Sequence, residues 1–390
     1  MTNPLRTWMY RRKVDYQKWR RIRDAEHSVR KNHPKSQRAL IAPTNSAGQG
    51  WVWSRALREA GIEADAFRIT SNEQDFFQAD RTIQRTEWIE WDYRVSLGEE
   101  IGTKYSHIFL ESLRPLLGYH KTAQTFTIEN VLEDIQLFKR SKRKVALIFH
   151  GSDIRDVDFH IKKSPFSPFS SKNPQAIAEV EQLRKRSAEV RAALPRLRRM
   201  RIPIFVTTPD LFHEAPHATW LPVAINTLPF EEVARKAPAF AHGGQPRVLY
   251  LPSSSWIKSA DIIEPILEKL DAEGVITRVR TEKVNHSQVP SLMAKADIVI
   301  DQFLGIIGAL PLEAMAAERL VLTHIAPWTH SRMPVIPPVI DITPETLESV
   351  LRSISHDRNH HIDYLDTAKK YVLEYHDGRK SAEVLSQLFR

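Results

Sequence analysis

The stretch ADIVIDQFLGIIGALPLEAMA, residues 296–316, decides the fold of this chain. Its β-branched run at 297–300 predicts a short strand buried in a parallel sheet. Gly305 and Gly308 then allow the backbone to approach a ligand closely, and Pro311 suits the first turn of a helix. A strand, a glycine loop and a helix start in this order are typical of α/β proteins that hold a phosphorylated ligand.

The start of that helix is the predicted anion site. The free N–H groups of Gly308, Ala309 and Leu310 and the positive end of the helix dipole would face the anion. We expect Glu313 in the same first turn, where its carboxylate can accept hydrogen bonds from sugar hydroxyls. The alternative is that Glu313 is only an acid favoured by the helix dipole.

The composition permits two ordinary domains and excludes several classes of protein. The chain has 390 residues, of which 42% are hydrophobic, and it has no apolar run near the ~18 residues that cross a bilayer. No cysteine is present, so disulfides and thiolate zinc sites are excluded. The N-terminus has charge but no apolar core, so we expect no signal peptide. The lack of cysteine fits a cytoplasmic location. We also expect no metal and no cofactor, with a nucleotide-diphosphate sugar as substrate.

Positive charge is concentrated at the N-terminus. Residues 1–38 contain twelve Lys/Arg and three Asp/Glu, an excess equal to the net charge of +9. Trp8, Tyr16 and Trp19 are interleaved with these cations, as in a basic amphipathic helix on the inner face of an anionic membrane. The alternative is a helix that packs its aromatic side on the main body. We expect no nucleic acid, since no recognition motif accompanies the basic pI.

The remaining sequence reads as alternating strands and helices, which predicts doubly wound parallel sheets. Residues 38–43 form a first strand, and Gly48, Gln49 and Gly50 form a loop predicted to cradle an acceptor sugar or phosphate. We expect the following organisation: a basic arm at 1–37, a Rossmann-like acceptor domain at 38–226, a linker at 227–245, a second Rossmann-like domain at 246–370 for a nucleotide sugar, and a C-terminal helix at 371–390 that is interrupted near Asp377 and Gly378 and packs back on the first domain.

Five short segments resemble the GT-B-fold glycosyltransferases, in particular the retaining group that uses nucleotide-activated sugars. They occur in the family order across about residues 38–380. The segments are HGSDIR at 150–155, TTPDL at 207–211, LPVAIN at 221–226, PSSSWIK at 252–258 and EAMA at 313–316.

The resemblance implies roles for particular residues. In that family, a lysine after the first strand of the C-terminal domain contacts the donor diphosphate, and Lys258 matches it. Glu313 matches the second glutamate of the E-x7-E pattern, which holds the ribose. His150 matches the strand-end histidine that meets the transferred sugar, with Asp153 close by. The implied fold is GT-B, with two Rossmann-like domains facing a cleft.

The chain also departs from the family pattern. Gly305 stands where the first glutamate is expected, and Asp301 is the nearest acid. The arginine of the donor loop would fall at Ser253 or Ser255; Arg278, Arg280 or Arg332 are the candidate substitutes. Glu318-Arg319-Leu320 replaces the glycine and proline that the family favours after the helix.

Two functions therefore stay open. The first is transfer of a sugar from a nucleotide-diphosphate donor to a glycan, lipid-linked or other envelope acceptor. The second is a catalytically silent subunit of the same fold that binds a nucleotide or a glycan.

Overall fold

The computed structural model describes residues 4–71, 77–119, 127–252, 256–281 and 285–390, without the side chains of residues 4–15 and 175. Two compact units make up the chain. Unit 1 comprises Met1–Ile148, Pro195–Pro203 and Ser386–Arg390, and unit 2 comprises Phe149–Leu194 and Ile204–Leu385. Residues 149–194 and 204–226 thus group with the C-terminal half, whereas the expected division is at residue 226. The predicted domain limits stay predictions.

The first sheet contains seven parallel strands in the order β3-β2-β1-β4-β5-β6-β7. These strands are β1 Arg38–Ala42, β2 Glu63–Thr70, β3 Arg81–Gln84, β4 His107–Glu111, β5 Lys144–Phe149, β6 Ile204–Val206 and β7 Thr219–Trp220. Every residue of β4 is buried, as expected for a parallel strand with both faces covered.

The second sheet has five parallel strands in the order β12-β11-β10-β8-β9. They are β8 Arg247–Tyr250, β9 Thr277–Arg278, β10 Ile298–Ile300, β11 Leu320–Thr323 and β12 Ile340–Asp341. Alternate side chains enter opposite cores. Leu249, Val299 and Val321 lie in one core, while their chain neighbours, such as Ile298 and Ile300, lie in the other, because a strand alternates its faces.

Fourteen α-helices connect the described strands. They are α1 Pro4–Lys31, α2 Gln49–Glu59, α3 Arg85–Trp88, α4 Trp91–Lys104, α5 Ile128–Arg140, α6 Val157–Lys163, α7 Pro174–Arg199, α8 Leu228–Lys236, α9 Ala260–Ala272, α10 Val289–Met293, α11 Ala309–Ala316, α12 Leu347–His356, α13 Ile362–Tyr375 and α14 Arg379–Ser386. The predicted break at residues 377–378 is confirmed, since α13 and α14 flank it.

The basic N-terminal segment is not a free arm along its whole length. In α1, Ile22, Ala25 and Val29 are buried, and Gly102 of α4 lies so close to the Val29 backbone that a Cβ there would be 2.8 Å from the Val29 carbonyl oxygen. Tyr16 and Trp19, in contrast, are 61% and 52% exposed. The packing alternative therefore applies to residues 22–29, through aliphatic rather than aromatic side chains. Because these side chains are buried, removal of residues 1–37 would also remove part of the packed structure.

Among the described residues, no helix combines the length and the apolar character needed to cross a bilayer.

Candidate functional site

An acid at the end of β10 and a lysine in the segment that follows β8 meet at the second sheet. Lys258 follows β8, Asp301 follows β10, and β8 and β10 pair in parallel, so both residues lie at the carboxyl edge of the sheet. The Lys258 ammonium donates to Asp301 Oδ1. The side chain of Lys258 is 13% exposed and that of Asp301 is fully buried. An ammonium has three donors, so this ion pair fixes a cation at the edge without using all its N–H groups.

The glycine loop after β10 contains two glycines with different roles. Gly305 has φ 88°, and a Cβ there would lie 2.6 Å from the Ala326 Cβ, so packing alone requires glycine. Gly308 is the residue before α11 and has extended backbone. A Cβ at Gly308 would meet no described atom within 4 Å. Only the second glycine therefore borders space that a ligand can enter.

The helix after this loop starts earlier than the sequence indicates. Helix α11 begins at Ala309, not at Pro311, and no acid lies in its first turn. The expectation that Glu313 occupies the first turn is therefore wrong. The N–H groups of Gly308, Ala309 and Leu310 lie at the helix start, as predicted, where a helix leaves its first donors without internal partners.

Glu313 lies in the second turn and pairs with a histidine that the sequence did not single out. Its carboxylate is buried, and Oε1 lies 2.6 Å from His286 Nε2. The hydrogen bond to Glu313 raises the pKa of His286 above its ordinary value. His286 is 27 residues away, so spacing along the chain contained no signal for this pair.

The structure describes most of the residues at which the sequence departs from the GT-B pattern. Glu318 has φ 51°, the left-handed conformation for which glycine is favoured. Arg319 is fully buried, and its guanidinium donates to the carbonyls of Met293 and Ala237 at 2.8 and 2.5 Å. Of the candidate substitute arginines, Arg278 pairs with Glu264 and Arg280 with Asp271. Arg332 is exposed, and Ser253 and Ser255 lie outside the described residues.

The turn after β5 is shaped by Asp153. Its carboxylate accepts the N–H of His150 at 3.0 Å and of Gly151 at 2.8 Å, so the described contacts of Asp153 are structural. His150 is half-buried, and its carbonyl accepts the Thr207 hydroxyl at 3.2 Å. The turn thus attaches the end of β5 to the end of β6. The proposed contact of His150 with a sugar stays a prediction.

Behind this turn, Arg155 and Asp210 form a buried ion pair. Arg155 Nε donates to Asp210 Oδ2 at 2.6 Å. Burial opposes ionisation of Asp210, but the charge and hydrogen bond of Arg155 outweigh it and hold the Asp210 pKa below its ordinary value. The HGSDIR and TTPDL segments are therefore tied together by one charge pair.

His160 of α6 connects that region to the glycine loop. It is 2% exposed. Its Nε2 lies 2.9 Å from the Leu304 carbonyl, and its Nδ1 lies 2.8 Å from the Ser167 hydroxyl. Since a carbonyl only accepts, Nε2 carries the proton and Nδ1 accepts from Ser167. Burial and the nearby Arg155 charge lower the His160 pKa to about 4, so the ring is neutral near pH 7.

The first glycine loop, in unit 1, has three N–H groups with described partners. Glu111 Oε2 accepts the N–H of Thr44 at 3.0 Å and of Asn45 at 2.7 Å. Gly48 has φ 73° and donates to the Asn45 carbonyl. Gly50 is buried next to Asn45. Glu111 thus holds the N–H groups at the start of this loop. The binding of an acceptor sugar or phosphate by Gly48, Gln49 and Gly50 stays a prediction.

The two parallel α/β sheets, of seven and five strands, define the class of fold: the chain has the GT-B fold. It is similar to sucrose-phosphate synthase from Thermosynechococcus elongatus, at 13% identity and TM-score 0.57, covering 92% of this chain and 98% of that one. It is also similar to Anabaena HepE in complex with UDP and glucose, at 10% identity and TM-score 0.54, covering 90% and 99%.

A glycosyltransferase from Rickettsia africae is similar at 11% identity and TM-score 0.53, covering 92% and 99% of the two chains. No family model matches the sequence, and a search of curated proteins found no significant match.

Proposed function

We propose that this protein is a glycosyltransferase that moves a sugar from a nucleoside-diphosphate donor to a glycan, lipid-linked or other envelope acceptor. One observation carries the proposal. On the GT-B fold, a cation, a ribose-binding candidate and the N–H groups of a helix start all follow strands at the carboxyl edge of the second sheet: Lys258, Glu313 and residues 308–310. Ligands of open α/β sheets bind at this edge.

The reaction needs its leaving group stabilised. The bond between the anomeric carbon and the diphosphate oxygen breaks, a bond to the acceptor oxygen forms, and the acceptor proton passes to the departing phosphate. Lys258 and the N–H groups of Gly308, Ala309 and Leu310 would neutralise the charge that develops on the diphosphate. Glu313 would accept hydrogen bonds from the ribose hydroxyls, and His150 would contact the transferred sugar. We propose that the transfer retains the configuration of the anomeric carbon.

The silent binding subunit is the second candidate, and the Lys258–Asp301 pair favours it. A lysine whose ammonium already neutralises a buried carboxylate has less charge to offer a diphosphate. Turnover separates the two functions, because a silent subunit binds a nucleotide sugar without consuming it.

A donor panel tests the proposal. UDP-, GDP- and ADP-sugars are screened for thermal stabilisation of the full chain, and stabilising donors are then assayed for hydrolysis and transfer. UDP-glucose comes first, because HepE was solved with UDP and glucose. Stabilisation with turnover supports the transferase, and stabilisation without turnover supports the silent subunit. No response to any donor contradicts the transferase and a silent subunit that binds nucleotide sugars.

The lysine is tested with a double variant. Lys258→Ala alone strands the buried Asp301 carboxylate, which costs about 3–5 kcal/mol and confuses binding with folding. Lys258→Met with Asp301→Asn removes both charges and preserves volume. We expect donor affinity to fall about tenfold or more, as for one charge-assisted contact. Lys295→Ala, an exposed lysine of the same sheet domain, should leave affinity unchanged; equal affinity in both variants would falsify the role of Lys258.

We further propose that α1 attaches the protein to anionic membranes. The support is the exposed side of its described half. Tyr16 and Trp19 stack with ring centroids 6.0 Å apart, and the Arg23 guanidinium lies 5.3 Å from the Trp19 ring centroid. Aromatic rings held among cations suit the headgroup region of a bilayer.

A further inference from the structure

An open groove of about 640 Å³ in unit 2 is used by none of the interactions described above. Trp220 at the end of β7, Tyr375 at the end of α13 and Met333 after β11 supply its apolar surface. Its volume is within the range of ordinary small-ligand sites. The groove is therefore large enough for a few sugar rings.

The two aromatic rings are held in a fixed arrangement. The Trp220 indole N–H donates to the Thr207 carbonyl at 3.2 Å, and the ring contacts His376 edge-on at a centroid distance of 6.0 Å. The Trp220 and Tyr375 centroids are 6.2 Å apart with planes at 40°. Two rings tilted at 40° do not offer the parallel faces that would enclose a flat base. Either ring can pack against the puckered, C–H-bearing face of a saccharide. Ordering such a ligand against rigid rings costs little side-chain entropy.

The rim of the groove is cationic. Arg332 is exposed and lies 6.0 Å from the Phe212 ring centroid, and within the described part of the chain it forms no ion pair. Lys380 also lines the groove, with Glu383 at 2.8 Å. Glu374 is the one acid among the lining residues and can accept from sugar hydroxyls. Arg332 thus presents a charge that an anionic ligand would complement.

We propose that this groove binds an anionic saccharide, whose rings pack on Trp220 and Tyr375 and whose carboxylate or phosphate pairs with Arg332. The proposal deepens the proposed function, on which it rests for the role of this ligand as the sugar acceptor. In this proposal Arg332 binds the saccharide and does not substitute for the arginine of the donor loop.

Calorimetric titration of the full chain tests the groove with four probes: tetragalacturonate, glucose 6-phosphate, neutral maltotetraose and UMP. We expect at least one of the two anionic sugars to bind, and Arg332→Ala to weaken that binding about tenfold. Arg186→Ala removes an equally exposed arginine from α7 and should change the affinity less than twofold. Trp220→Ala should weaken the binding of both anionic and neutral saccharides. If this variant does not fold, Arg332→Ala tests the groove by itself, because the Arg332 side chain is exposed.

Three results would overturn the proposal. The first is that neither anionic sugar binds, and the second is that Arg332→Ala and the parent bind the anionic sugars with equal affinity. The third is that UMP binds more tightly than the saccharides and that its binding depends on Arg332. UDP stabilisation measured on the same variants distinguishes the two proposals. Saccharide binding without any donor response would support the groove and contradict the transferase. Donor turnover that persists in Arg332→Ala, together with no saccharide binding, would support the transferase and contradict the groove.

Discussion

At the residue scale, His160 determines where the glycine loop of the candidate site lies. His160→Ala would leave the Leu304 carbonyl and the Ser167 hydroxyl without their partner in a buried place and open a cavity. We expect a loss of about 2–4 kcal/mol in the free energy of unfolding. His160→Gln, whose amide can still donate to Leu304, should recover part of it and should recover nucleotide-sugar affinity in parallel.

Urea denaturation and donor binding of both variants measure this effect. His217→Ala, an exposed histidine, serves as the control. If His160→Ala were as stable as the control, His160 would not hold the loop.

Glu214 gives the fold a pH dependence. Burial raises its pKa to about 7, although Oε1 accepts the Asp156 N–H at 2.7 Å. A carboxyl whose folded pKa exceeds its unfolded value contributes stability that is complete below the unfolded pKa and is lost as pH rises through about 7. At pH 8, Glu214→Gln should therefore be more stable than the parent by about 1–3 kcal/mol.

The same comparison at pH 4 should show little difference, because Glu214 is then protonated in both states. Unfolding free energies at the two pH values measure it, with the exposed Glu189→Gln as a matched control. A gain that is equal at pH 4 and pH 8 would mean that the carboxyl charge is not its cause.

At the scale of the element, the loop between β10 and α11 offers a matched pair of glycines. Gly305→Ala forces a Cβ to 2.6 Å from that of Ala326 at φ 88°, which should cost roughly 2–4 kcal/mol of folding stability. Gly308→Ala meets no described neighbour and has ordinary φ. It should preserve the melting temperature and weaken nucleotide-sugar binding, because its methyl group would take up open space beside the start of α11.

Thermal denaturation with and without UDP-glucose separates the two effects. If Gly308→Ala bound the donor with unchanged affinity, the start of α11 would not be part of the donor site.

At the scale of the whole molecule, the exposed side of α1 is expected to place the protein at a membrane surface. Lys18→Ala with Arg23→Ala removes two exposed cations. Since each cation near an anionic surface contributes about 1 kcal/mol, vesicle affinity should fall by roughly tenfold or more at low salt. Lys185→Ala with Arg186→Ala removes the same charge from α7 and should have less effect.

Co-sedimentation with phosphatidylserine-containing and neutral vesicles at two salt concentrations measures this difference. An equal loss in the two double variants would show that net charge alone, rather than α1, drives attachment.

The sequence by itself determined the α/β class and the elements whose signals are local. The β-branched run before Asp301, Gly305 after it, and the break at Asp377-Gly378 are readable because a buried parallel strand, a positive φ and a helix end each need particular residues. Asp301 was predicted at a strand end for the same reason, whereas Lys258 was assigned to the loop after its strand by the resemblance. The GT-B resemblance rested on the order of such segments.

Tertiary structure alone decided which of these residues meet. It paired Lys258 with Asp301 and Glu313 with His286, and it brought His160 to Leu304, 144 residues away. It placed Glu111 at the N–H groups of the first glycine loop and buried one side of α1. These contacts depend on which strands pair and which helix covers them, and a hydrogen bond between residues so far apart leaves no periodicity along the chain.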